Sequence, residues 1–135
     1  MFVVKKLMKG YLYSGYNVCT DNFFTSSPLA DYLFQTKTTL IGTIRLTSKS
    51  TIPAMKIPHP LYSSSFSKSE SKLAVSYQAK PKKIVLLLST MHSTPVIAND
   101  DKKKPEIIHS YNSNKVGVDC LDSMLRLYSC KSTSR

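Results

Sequence analysis

Glycine and proline are scarce in this chain of 135 residues, at four and seven respectively, which argues against global disorder. Acidic residues are scarce relative to basic ones. Eight Asp and Glu stand against 19 Lys and Arg, a formal net charge of +11. That imbalance points to a polyanionic partner, most simply nucleic acid. Cysteine is limited to Cys19, Cys120 and Cys130. Their odd number and the lack of any C-x-x-C spacing weigh against a disulfide framework or a zinc knuckle. His59, His92 and His109 are equally scattered, and a reducing intracellular compartment is expected. No long hydrophobic run occurs. Phe2-Val3-Val4 gives way at once to Lys5-Lys6, too short for a secretory or membrane-spanning core, so no membrane association is expected. What remains is 41% hydrophobic residues, enough for one core of ordinary size.

The pattern along the chain predicts an α/β start. Val3, Leu7 and Tyr11 recur every four residues and predict a helix over 2–14, closed by Gly15. A short strand over 16–20 ends at Asp21. Ser27 is placed as a helix N-cap with Pro28 in the first turn. Leu29, Leu33 and Phe34 then give that helix an apolar face. Residues 40–46 read as a strand.

From Thr47 to Lys72, Ser, Lys and Pro crowd out any period, which predicts irregular chain. Strands follow at 73–77 and 84–88, joined by Lys80-Pro81-Lys82-Lys83, and a further strand is expected over Ile107–Tyr111. The last helix is predicted from Ser113 or Asn114 through Tyr128, with Val118, Leu121, Leu125 and Tyr128 on one stripe. A polar tail after Cys130 is expected to fray. The division that results is 1–46, a mostly β insertion over 47–111, and 112–135.

Three carboxylates stand out. Asp21 sits at a strand end, and Asp119 and Asp122 open the last predicted helix. DNA phosphoryl transfer uses two divalent metal ions roughly 4 Å apart, clamped by carboxylates on rigid platforms. Plainer roles exist for each. Asp21-Asn22 can close an Asx-turn, and acidic residues in a first helical turn are favoured by the dipole. Repulsion between Asp119 and Asp122 on an exposed face costs only about 0.2–0.5 kcal/mol.

Asp21-Asn22-Phe23-Phe24-Thr25-Ser26 followed by Pro28-Leu29-Ala30 resembles the segment bearing the second catalytic aspartate of piggyBac-type transposases. Gly42-Thr43-Ile44-Arg45 and Ile52-Pro53 are similar to that family's next strand and its exit. Lys83-Ile84-Val85-Leu86-Leu87-Leu88-Ser89-Thr90 resembles a strand of its insertion domain. Gly117-Val118-Asp119-Cys120-Leu121-Asp122-Ser123-Met124 resembles the helix carrying the third catalytic aspartate.

The resemblance implies a partial RNase H-like core interrupted by a β-rich insertion, and metal-dependent cut-and-paste transposition of DNA at TTAA targets. It further implies catalytic roles for Asp21, Asp119 and Asp122, with Asp21 and Asp119 as ligands of Mg2+ or Mn2+. DNA as partner, a homodimer and a nuclear location are implied as well. Lys80, Lys82, Lys83, Lys102, Lys103 and Lys104 are candidate phosphate contacts, although each also fits a solvated face. No carboxylate precedes Asp21, so the family's first catalytic aspartate has no counterpart. The chain is therefore expected to be a transposase fragment without activity of its own. Two alternatives stay open: a non-enzymatic, basic DNA-binding module, and an unfolded pseudogene product.

Overall fold

The computed structural model describes residues 1–48 and 51–128. Helix α1 spans Phe2–Met8, strand β1 Asn17–Thr20, helix α2 Ser27–Gln35 and strand β2 Thr39–Ile44. After a 3-10 turn at Pro53–Lys56 come β3 (Ser64–Lys68), β4 (Leu73–Lys80), β5 (Lys83–Ser89) and the long helix α3 (Glu106–Leu127). The five strands form one mixed sheet in the order β1-β2-β5-β4-β3.

β1 and β2 are parallel, with Asn17 opposite Thr39 and Thr20 opposite Gly42. A parallel pair needs a crossover, and α2 supplies it. Ser26 caps that helix, its Oγ accepting from Leu29 N at 3.4 Å, one residue before the predicted cap. Beyond β2 the sheet turns antiparallel. β5 pairs β2, β4 pairs β5 and β3 pairs β4. The strands of segment 47–111 thus continue the sheet begun by β1 and β2.

Strand alternation sends successive side chains to opposite faces. On one face Ile41, Leu73, Val75, Tyr77 and Leu87 pack against Ile107 and Ile108 of α3. On the other, Leu40 and Leu88 pack under Leu29, Ala30 and Leu33 of α2 and Val4 of α1. Lys72 ties α2 to the start of β4, its Nζ lying 2.7 Å from Asp31 Oδ1 and donating to Ser27 Oγ at 2.8 Å.

Four sequence expectations change. α1 ends at Met8 and turns replace its expected last two turns. Val4 is the residue it buries, while Val3, Leu7 and Tyr11 are at least half exposed. β3, the sequence Ser-Ser-Phe-Ser-Lys, is a strand inside the segment expected to be irregular. It has no apolar alternation, and its pairing with β4 comes from the backbone. Residues 107–111 are helix and not strand. Ile107, Ile108 and Tyr111 have helical spacing once Pro105 and Glu106 start the helix, and the core of the sheet claims Ile107 and Ile108. α3 therefore begins seven residues or more before the predicted start. Its predicted apolar stripe at Val118, Leu121, Leu125 and Tyr128 is exposed, at 53–78%. The tail after Cys130 lies outside the described residues.

Candidate functional site

Where β1 ends, the chain reverses immediately. The Asp21 carbonyl accepts from Phe24 N and Thr25 N, both at 3.0 Å, and from Thr25 Oγ1 at 2.9 Å. Thr25 Oγ1 also shares a buried 2.8 Å hydrogen bond with Thr20 Oγ1. The tightness of this turn sets what can stand beside it. A Cβ on Gly42, in the adjoining strand, would fall within 3 Å of Thr20 Oγ1, Thr25 Oγ1 and the Thr20 carbonyl. A second set of contacts braces the turn from outside. Arg45 Nε donates to Asn22 Oδ1 at 3.2 Å, and its guanidinium lies 5.5 Å from the centre of the Phe23 ring. The exposed Asp21 carboxylate accepts a long bond, 3.5 Å, from Thr43 Oγ1.

α3 crosses the sheet face near β1, β2 and β5, and its first turns are fixed from several sides. His92, after β5, shares hydrogen bonds through Nδ1 with Ser89 Oγ (2.8 Å) and through Nε2 with Ser110 Oγ of α3 (3.3 Å). Burial lowers the His92 pKa below the usual imidazole value, against a smaller opposing pull from Glu106. The loop before α3 is held by Asp100, whose Oδ1 accepts from Lys104 N at 2.9 Å. Asp100 Oδ2 also lies 3.4 Å from His109 Nε2. That backbone bond, with the nearby His109 and Lys104 charges, keeps the Asp100 carboxyl below its ordinary range. Tyr77 OH donates to the Lys102 carbonyl at 2.7 Å.

Two clefts meet at Asp21. One, of about 620 Å³, runs along β1 between α1 and α3 and is lined by Val3, Leu7, Cys19, Asp21, Val118 and Asp119, among others. The other, of about 530 Å³, lies between α3 and the β2–β5–β4 face, and Asp21, Lys83, Lys104 and Lys115 line it. Lys115 lines both, and its Nζ lies 3.4 Å from Asp119 Oδ2. Cys19 stays a thiol here, because burial raises its pKa more than Lys115 lowers it.

Asp21 and Asp119 thus border one cleft, while Asp122, further along α3 and exposed, borders neither. Asp119 stands more than three turns past Glu106, beyond the reach of the dipole argument for first-turn acids. Of the six candidate lysines, Lys83 and Lys104 line the cleft with Asp21. Lys80 and Lys82 are exposed at the β4–β5 hairpin, and Lys102 and Lys103 on the loop before α3. Sequence reasoning missed Lys115, although its spacing four residues before Asp119 was a visible signal. It also missed the Asn22–Arg45 contact, which depends on strand register.

Residues 1–135 match the family model described as transposase IS4. The chain belongs to the transposase IS4 family. This transposase-family chain is also similar to piggyBac transposase, as seen in a cryo-EM structure of its synaptic complex with hairpin DNA. The TM-score is 0.85 and the identity 35%. The match covers 98% of this chain and 28% of that one, so the chain spans less than a third of the relative's length. The mixed five-stranded sheet with its three helices is therefore similar to part of a piggyBac transposase.

Transposases of the DDE type generally use divalent metal ions. Asp21 and Asp119 offer two carboxylates to one cleft, but among the described residues no three His, Cys, Asp or Glu side chains come together as a metal site. The described residues do not by themselves complete a metal pair. No described helix is long and apolar enough to cross a membrane.

Proposed function

We propose that this chain is part of the catalytic core of a piggyBac-type DNA transposase. In this reading residues 1–46 and α3 belong to an RNase H-like core, and the residues between are an insertion whose strands extend the core sheet. The later boundary moves from 111 to the start of α3, because one helix spans it. The change from parallel pairing at β1–β2 to antiparallel pairing from β5 onward supports that division. Asp21 and Asp119 are two of the catalytic carboxylates, with Asp122 nearby, and DNA is the partner. The remaining donors come from a longer protein, and this chain alone neither holds the metal pair nor cuts DNA. The observation that carries the reading is the cleft that Asp21, at the exit of β1, shares with Asp119 of α3.

The test is cleavage and binding measured together. The chain itself binds DNA and cuts none in the presence of Mg2+ or Mn2+. In a longer transposase carrying this segment, Asp119→Asn removes charge but keeps volume, so it abolishes cleavage with little loss of binding. Cleavage that persists in that variant refutes the role given to Asp119. A second reading, a DNA-binding module without catalysis, is favoured by the net charge of +11. It predicts that Asp21→Ala and Asp119→Ala leave every DNA-dependent property intact even in a longer protein carrying this segment.

A further inference from the structure

Three lysines from separate parts of the chain line the cleft of about 530 Å³ between α3 and the sheet. Lys83 comes from the first residue of β5, Lys104 from the loop held by Asp100, and Lys115 from the third turn of α3. One carboxylate, that of Asp21, lines the same cleft, so the lining is cationic overall. The cleft floor is apolar and aromatic, formed by Val85, Leu87, Ile108 and the partly buried Tyr111. Clefts of about 300–1,000 Å³ take a drug-sized molecule. That is the scale of a short stretch of one strand and not of a duplex. Cations along a groove with an aromatic at its base are the physical requirements for single-stranded nucleic acid.

We propose that this cleft holds the backbone of a single DNA strand, with Lys83, Lys104 and Lys115 on successive phosphates, and leads that strand to Asp21. The proposal rests on the reading of the chain as a DNA-binding transposase segment, and it deepens that reading. Lys115 has a further part in it. With no strand present, its ammonium lies against Asp119. A phosphate in the cleft competes with that exposed carboxylate for the ammonium.

The experiment compares the full chain with Lys83→Gln/Lys104→Gln/Lys115→Gln. The control is Lys6→Gln/Lys9→Gln/Lys56→Gln, which removes the same charge from exposed positions outside both clefts. Affinity for a fluorescent single-stranded oligonucleotide and for a duplex of equal length is measured across a salt series. Each phosphate contact to a single strand contributes about 0.7 to the log–log salt slope. The cleft variant therefore loses about 2 from its single-strand slope, and the control triple keeps nearly all of its slope. Replacing the same three residues by Arg restores the slope, which separates lost contacts from lost folding.

Equal losses in the two triple variants, or none in either, overturn the cleft assignment while leaving DNA binding by the chain in place. A larger loss on the duplex than on the single strand overturns the choice of strand. Absence of binding by the unaltered chain to either DNA overturns both this proposal and the reading beneath it.

Discussion

Gly42 is the position where a single atom matters most. The strand that carries it passes so close to the Asp21 turn that an added methyl group meets two hydroxyls and a carbonyl at once. Backbone and a buried hydroxyl pair cannot swing aside as a flexible side-chain end could. Overpacking of this kind costs about 1–3 kcal/mol, and Gly42→Ala is expected to lose that much in urea unfolding. Part of the cost returns if Thr25 also becomes Ala, because Thr25 Oγ1 is one of the three atoms struck. A double mutant no more stable than the sum of the two single changes would show that the turn and strand do not press on each other. The same contact explains why Asp21 leaves the strand at a fixed angle. The carboxylate inherits its position from a backbone that has no room to shift.

At the scale of elements, burial decides which apolar residues matter, and the sequence period does not. Ile107 is 2% exposed, whereas Leu125, on the same helix and on the predicted stripe, is 57% exposed. Ile107→Ala is expected to cost about 2–5 kcal/mol. Leu125→Ser changes stability by less than about 0.5 kcal/mol. The two chemical-denaturation midpoints test this directly, and a large loss at Leu125 would mean that the stripe is packed and not exposed.

His92 gives the same helix a pH dependence. Its folded pKa is lowered by burial, so folding favours the neutral ring. The stability it contributes is complete above the ordinary imidazole value of 6.5 and is lost as pH falls through the lowered folded value. Unfolding free energy is expected to rise with pH up to about 7, and less so in His92→Gln. Identical profiles would remove His92 from the account.

The elements legible in the sequence were those with local signals. The short β1, the proline-started α2, the apolar runs of β4 and β5, and the lysine-rich hairpin between them all fall where their residues predicted. β3 was illegible because Ser-rich strands are made by their neighbour. The start of α3 was illegible because Ile107-Ile108 reads equally well as strand, and only the sheet above it resolves the ambiguity. Asp21 and Asp119 were nominated by motif. That they border a common cleft depends on α3 crossing near β1, which no local pattern encodes.

Over the whole molecule, the two apolar clusters lie on opposite faces of one sheet and draw on the same strands. Leu40 and Ile41 of β2 face opposite ways, as do Leu87 and Leu88 of β5. Neither face can lose its packing without loosening the strands that serve the other. The chain is expected to unfold in one cooperative transition by circular dichroism and by calorimetry alike, across the boundary drawn at residues 46 and 47. Ile107→Ala and Leu33→Ala, on different faces, should both move that single transition. Two transitions, each answering to one variant, would mean the faces are independent. The net charge of +11 also acts at this scale, lowering stability by self-repulsion and favouring a polyanion that relieves it. The transition should therefore move to higher temperature when DNA is added.

The exposed far half of α3 is in effect a cantilever. The helix is gripped by the sheet from Ile107 to about Lys115, and the residues after it make the outer wall of a cleft or meet solvent. At 1.5 Å of rise per residue, the overhang from Lys115 to Leu127 is about 18 Å long. A tilt of about 10° at the grip moves Asp119 by about 1 Å and the tip by about 3 Å. Reactive groups must be held to about 0.5 Å, so under the proposed catalytic reading a tilt of that size would carry Asp119 out of register with Asp21. Asp21 is cast in place by its turn, while Asp119 is aimed. Under the proposed reading, a partner bearing on the distant apolar tip would shift Asp119 relative to Asp21 without touching either carboxylate.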